Sequence, residues 1–238
     1  MATEMALDER TVARCAEQLQ ERGMRRSAVE LLPGVLEMRL SPRFTGWVGL
    51  SAKALWDAAD SPVQVTARVA VRDEDISQLT ATLRGLLPDD PGVRARSLVS
   101  KDLNSLLPER GTSPQEWVAR TEAEADAAAR QIADDVATAG FAYMESVASP
   151  GAYFAELARQ VWRLLWPHEG AVAYMLHGDA EEAKRMLLTI ARPLAQRPTR
   201  WADEDRPSAA FFNSFAAHFG MDLAIEDWPA KASLAKRR

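Results

Sequence analysis

At 238 residues, 47% of them hydrophobic, the chain has material for one large core or two smaller ones, which excludes disorder as a description of most of it. A formal net charge of −5 gives no general attraction to nucleic-acid phosphates or anionic membranes, so any basic contact has to be argued locally, within a Debye length of ~8 to 10 Å. A single cysteine, Cys15, excludes an internal disulfide and a cysteine-based metal cluster and fits a reducing compartment.

The first residues, M-A-T-E-M-A-L-D-E-R, carry acids and lack the basic segment and apolar run of a signal peptide. No stretch approaches the ~18 uninterrupted apolar residues of a membrane span. The expected location is therefore the cytoplasm. From Met5 to Arg22, Val12, Cys15, Ala16 and Leu19 recur at helical spacing, and Gly23 follows where a left-handed C-terminal cap is common. Cys15 reads as a buried structural residue, because a reactive thiolate needs neighbouring cations or a helix N-terminus.

From Met24 the period changes to two. A strand through Leu32 meets a turn at Pro33-Gly34; Leu36, Met38 and Leu40 then alternate with Glu37 and Arg39; and Phe44 to Ser51 puts Val48 and Leu50 on one face, Trp47 and Gly49 on the other. The clearest signal is P-V-Q-V-T-A-R-V-A-V-R-D, residues 62–73, where Val63, Val65, Ala67, Val69 and Val71 alternate with Gln64, Thr66, Arg68, Ala70 and Arg72. Together these predict a four-stranded antiparallel meander, with a fifth strand offered by Val93 to Val99. Asp73 is placed to cap a helix with Ile76, Leu79, Leu83 and Leu86 or Leu87 on its stripe, ended by Pro88 and Pro91. The first two helices are expected to cover the apolar sheet face, leaving Glu37, Arg39, Gln64, Arg68 and Arg72 towards solvent or another layer.

Ser113-Pro114-Gln115-Glu116 reads as a capping box opening a helix to about Ala139, with Val118, Ala125, Ala129, Ile132 and Val136 inside, Glu116–Arg120 and Asp126–Arg130 paired outside, and Gly140 kinking or ending it. Its acids, Glu122, Glu124, Asp126, Asp134 and Asp135, read as a solvated face. Tyr153 to Trp166 is apolar enough for a helix packed on two sides. Ala171 to His177 and Glu181 to Ala191 form a helical hairpin, with Gly178 closing the first helix and Asp179 capping the second. A last helix, Ser208 to Phe219, buries Phe211, Phe212 and Phe215, with Phe219 a further candidate. The expected fold class is α+β, a sheet domain over 1–111, a helical region over 112–228 and a loose basic tail over 229–238.

No motif commits this chain to a chemistry. His168, His177 and His218 lack zinc-ligand spacing, Gly49-Leu50-Ser51 lacks the second glycine of a nucleophile elbow, Ser233-Leu234-Ala235-Lys236 falls in the tail, and no phosphate-cradling glycine loop occurs. Acids at Asp179, Glu181 and Glu182 would repel phosphates from the hairpin's second helix, which argues against DNA reading. No catalytic residue, metal or cofactor is assigned. Arg22, Arg25 and Arg26, with Arg39, Arg43, Arg68 and Arg72 and with Trp47 alongside, are predicted to gather on one side of the sheet, the aromatic and basic mixture enriched at binding hot spots. The layout of helix, meander and helix, followed by S-L-V-S-K-D-L-N-S-L-L-P (residues 97–108) and Trp117, resembles bacterial domains of unknown function over about residues 5–165, a resemblance that implies no activity.

The leading expectation is a non-catalytic intracellular protein-binding module, an immunity or accessory protein acting on a partner. The alternatives are an enzyme or small-ligand binder with a pocket between sheet and helical half, and a structural subunit of a larger assembly. Oligomeric state is left open.

Overall fold

The computed structural model describes residues 6–27, 34–57, 61–87, 90, 97–107, 117–160, 166–196 and 206–221. Its class is α+β, an antiparallel sheet with a helical C-terminal half. The chain divides into two compact units, Met1–Asp73 with Val99–Glu156, and Glu74–Leu98 with Leu157–Arg238. The predicted domain boundary at residues 111 and 112 lies outside the described residues, as do Pro33, the Ser113–Glu116 capping box, residues 161–165 and the tail.

The first unit is built on a six-stranded sheet: β1 (Arg25–Arg26), β2 (Val35–Arg39), β3 (Phe44–Ala54), β4 (Val63–Asp73), β5 (Val99–Asp102) and β6 (Trp117–Ala119). Order runs β1-β2-β3-β4-β5, and β6 pairs with the other end of β4. All five pairings are antiparallel. β4 is central because its alternation is the cleanest: Val63, Val65, Ala67, Val69 and Val71 are all buried, each valine worth about 1.5 to 3 kcal/mol of burial, and both of its edges are hydrogen-bonded.

That apolar face carries α1 (Leu7–Glu21), whose Cys15, Ala16 and Leu19 are buried. Gly23 follows with φ +91°, the left-handed conformation that glycine adopts without a Cβ penalty. Gly34 is a glycine for a different reason from the turn geometry predicted for it. A Cβ there would stand 2.3 Å from the Leu50 carbonyl oxygen, and Leu50 donates its N–H to the Gly34 carbonyl at 2.8 Å.

The helix expected from Ser113 begins later. Residues 117–119 are β6, with Trp117 and Ala119 buried, and α3 spans Glu122–Asp135. Its cap is Thr121, whose side chain accepts from the Glu124 N–H at 3.2 Å, while Glu124 accepts from the Arg120 N–H at 2.6 Å, a return contact one residue ahead of the cap N–H that a capping box would use. Tertiary pairing of Trp117 to Ala119 with Val65 to Val63 outweighed the local helix signal. Gly140 does not end the helix. A π turn, Val136–Gly140, leads into α4 (Phe141–Val147), and Gly140 sits where a Cβ would lie 3.1 Å from Val69 Cγ1.

The acids of α3 are not simply solvated. Arg10 and Arg14 reach Glu122, Arg14 also reaches Asp126 at 3.0 Å, and Arg22 reaches Asp134, so α1 and α3 lie parallel with their ion pairs in sequence along both. Asp126 thus meets Arg14 of the neighbouring helix, where the spacing predicted Arg130 of its own. Desolvation is the largest single influence on the Glu122 carboxyl and raises it, but the Arg14 hydrogen bond, the charges of Arg10 and Arg14 and the Arg10 hydrogen bond together outweigh it and hold the group below its usual range. Being exposed, these pairs are screened and serve helix register more than stability.

In the second unit α2 (Glu74–Leu83) packs with α6 (Pro167–Leu176) and α8 (Arg206–Phe219), so it is grouped with helices rather than serving, as expected, beside α1 in the sheet unit. Its buried stripe is Ile76, Ser77, Thr80, Ala81 and Leu83; Ile76 and Leu83 are buried as predicted, Leu79 and Leu86 are half-buried, and Leu87 is 72% exposed. The hairpin of α6 and α7 (Ala180–Gln196) forms as predicted: Gly178 has φ +80°, and Asp179 Oδ1 accepts the Glu182 N–H at 3.0 Å. Phe211, Phe212 and Phe215 are buried, with Phe211 5.6 Å from Phe215 between ring centroids. α5 (Pro150–Arg159) contributes Tyr153, 5.7 Å from the Phe44 ring, to the first unit.

Candidate functional site

Strand register decides which residues share the sheet face opposite α1. Arg25, Glu37, Trp47, Ala70 and Ser100 stand in one row across the first five strands. On one side of it lie Arg39, Thr45 and Arg72, on the other Val35, Gly49, Arg68 and Asp102, then Ser51 with Thr66 and Lys53 with Gln64. Five of the predicted residues, Arg25, Arg39, Trp47, Arg68 and Arg72, therefore share this face, and Arg43 stands beside it in the β2–β3 turn.

Trp47 is the organising side chain. Its ring lies over Gly49, where a Cβ would come within 2.8 Å of ring Cζ3. A glycine in a strand leaves a bare stretch of backbone, and an aromatic from the neighbouring row covers it. Trp47 remains half-buried, and its enclosed indole N–H has no acceptor among the described residues.

The arginines are held at different depths. Arg39, exposed, donates to Thr45 Oγ1 at 3.3 Å and to the Pro42 carbonyl. Arg68 donates from Nε and Nη2 to Asp102 Oδ1 at 3.0 and 2.9 Å, a pair open to water. Arg72 is buried, with Nη1 3.9 Å from Glu37 Oε1, and Glu37 also accepts from Ser27 Oγ at 2.7 Å. Arg43 donates from Nε to both oxygens of Asp73 at 3.1 and 3.0 Å and from Nη2 at 2.7 Å; the Asp73 side chain is 0% exposed. Arg43 thus ties the turn to the end of β4, and its reach towards a partner is limited by that duty.

The face is not uniformly open. Thr45, Ala70, Arg72 and Ser100 are buried, whereas Arg25, Arg39, Ser51, Lys53, Thr66 and Asp102 are exposed. Arg25 is brought into the Trp47 row by a two-residue strand as predicted, but its neighbour Arg26 falls on the opposite face and Arg22 reaches Asp134 beside α3, so neither joins the cluster; Gly49 carries a missed role, legible only as a glycine two residues from a tryptophan in a strand.

Elsewhere the chemistry-bearing residues are accounted for by packing. Burial pushes the Cys15 thiol up to about 12, which keeps it protonated at neutral pH. His168 and His218 stand edge-on to Phe211 and Phe219, each at 4.7 Å between centroids, and His177 closes α6 with its backbone N–H on Ala173 and Tyr174 carbonyls. One polar cluster has no sequence signal: Lys101 Nζ, on the helix-covered face, lies 3.1 Å from the buried Glu156 and 5.0 Å above the Tyr143 ring, fastening β5 to α4 and α5. Among the described residues no three His, Cys, Asp or Glu side chains gather to hold a metal ion, and no helix is long and apolar enough to cross a membrane. No family model, no curated protein and no solved structure matches this chain.

Proposed function

We propose that the chain is a non-catalytic protein-binding module of the immunity or accessory kind, working in the cytoplasm, which meets its partner through the exposed part of the sheet face that carries Trp47. The observation that supports this reading is the seating of Trp47: a large ring laid over Gly49, half-buried, in a row beginning at exposed Arg25 and next to rows containing Arg39 and Arg68. Tryptophan and arginine are enriched among the residues that dominate binding energy, tryptophan for its large area with few rotatable bonds and arginine for its directional donors.

The test is affinity purification of the full chain at gentle salt from the cells that make it, beside Trp47→Ala. A stoichiometric protein partner retained by the parent chain and lost by the variant supports the reading, provided circular dichroism shows both equally folded. A chain that comes down alone overturns it.

A further inference from the structure

Building on the reading that this face binds a protein, we infer that the partner presents an acidic surface. Across the described rows of the face, Arg25, Arg39, Lys53 and Arg68 with Arg72 enclosed beside them stand against Glu37 and Asp102, five basic positions to two acidic, while the chain as a whole carries −5. A local positive field on an acidic molecule selects by charge: it attracts carboxylates approaching this face, and the remaining surface repels the same groups elsewhere. Nucleic acid fits less well, because its affinity grows with the number of phosphates neutralised and an excess of three charges neutralises few.

Arg25 and Arg26 provide an internal control. They are neighbours on one strand, both exposed, yet Arg25 pairs with Glu37 on the Trp47 face and Arg26 with Leu36 on the opposite face. The purified full chain is titrated at low salt with fluorescent poly-L-glutamate, with a single-stranded oligonucleotide of equal charge, and with neutral polypeptide. The expected result is preferential binding of poly-L-glutamate, weakened about tenfold or more in the double variant Arg25→Glu with Lys53→Glu and changed less than about twofold in Arg26→Glu, and lost at high salt. Absence of poly-L-glutamate binding, an equal loss in Arg26→Glu, or tighter binding of the oligonucleotide overturns the inference. If a partner lost with Trp47→Ala co-purifies while any of these results holds, the protein-binding reading stands and the acidic partner falls.

Discussion

One strand shows two kinds of surface. On β4 the odd-numbered residues, Val63 to Val71, are all buried against the helix-covered side, whereas the even-numbered Gln64, Thr66 and Arg68 meet water and Ala70 and Arg72 are enclosed. The first face is held by shape, since Gly140 and Gly46 admit helix residues so closely that a Cβ would stand 3.1 Å from Val69 and 2.6 Å from Met144. The second is held by directional polar contacts that still leave its rim accessible. Close packing makes the first face intolerant of change, and solvation makes the rim of the second tolerant of it.

The largest effect expected on this contrast comes from Val69→Asp, which places an unpaired carboxylate at a 0% exposed position. Loss of more than about 4 kcal/mol and of cooperative unfolding in urea is expected; a variant that still melts in one sharp transition breaks the assignment of faces. Arg43→Ala comes next. It leaves Asp73 enclosed without its bidentate partner and should cost about 3 kcal/mol, the low end for such pairs because Arg43 is itself partly exposed. Little change in urea midpoint would return Arg43 to the binding rim. Gly34→Ala drives a Cβ towards the Leu50 carbonyl and should destabilise by about 1 to 3 kcal/mol; a stabilised variant would show that the β2–β3 contact is looser than drawn.

The smallest effects belong to the rim. Arg68→Ala removes an exposed pair and should change stability by less than about 1 kcal/mol in the same urea titration. Gly49→Ala, which must displace the end of the Trp47 ring, should leave the midpoint within about 0.5 kcal/mol while altering the near-ultraviolet circular dichroism. If Gly49→Ala instead lowers stability as much as Gly34→Ala, Trp47 belongs to the core and the contrast between faces weakens.

The reading of the predicted site follows the same division. That Arg39, Trp47, Arg68 and Arg72 share a face was legible, because side-chain direction alternates strictly along a strand. How deep each would lie was not. Arg72 is enclosed and Arg68 is not, though both stand on β4 at positions of equal parity, since depth depends on what lies above each row. Residues 117–119 make the point for the fold: a strong local helix signal stood just before them, and pairing with β4 took them into the sheet. Thr121 and Glu124 were readable as a cap all along, but a Ser-Pro-x-Glu run eight residues earlier carried the same chemistry.

The amino-acid order alone determined the α+β class, the alternation that centres the sheet on Val63 to Asp73, and the helical hairpin closed by Gly178 and Asp179, because each rests on interactions within a few residues. Only the folded chain decided that β5 and β6 flank β4, that α2 joins helices, that Gly34 and Gly140 are points of close approach, and that Trp47 rests on Gly49. Those outcomes depend on contacts between segments distant in sequence, whose relative energies no local pattern records.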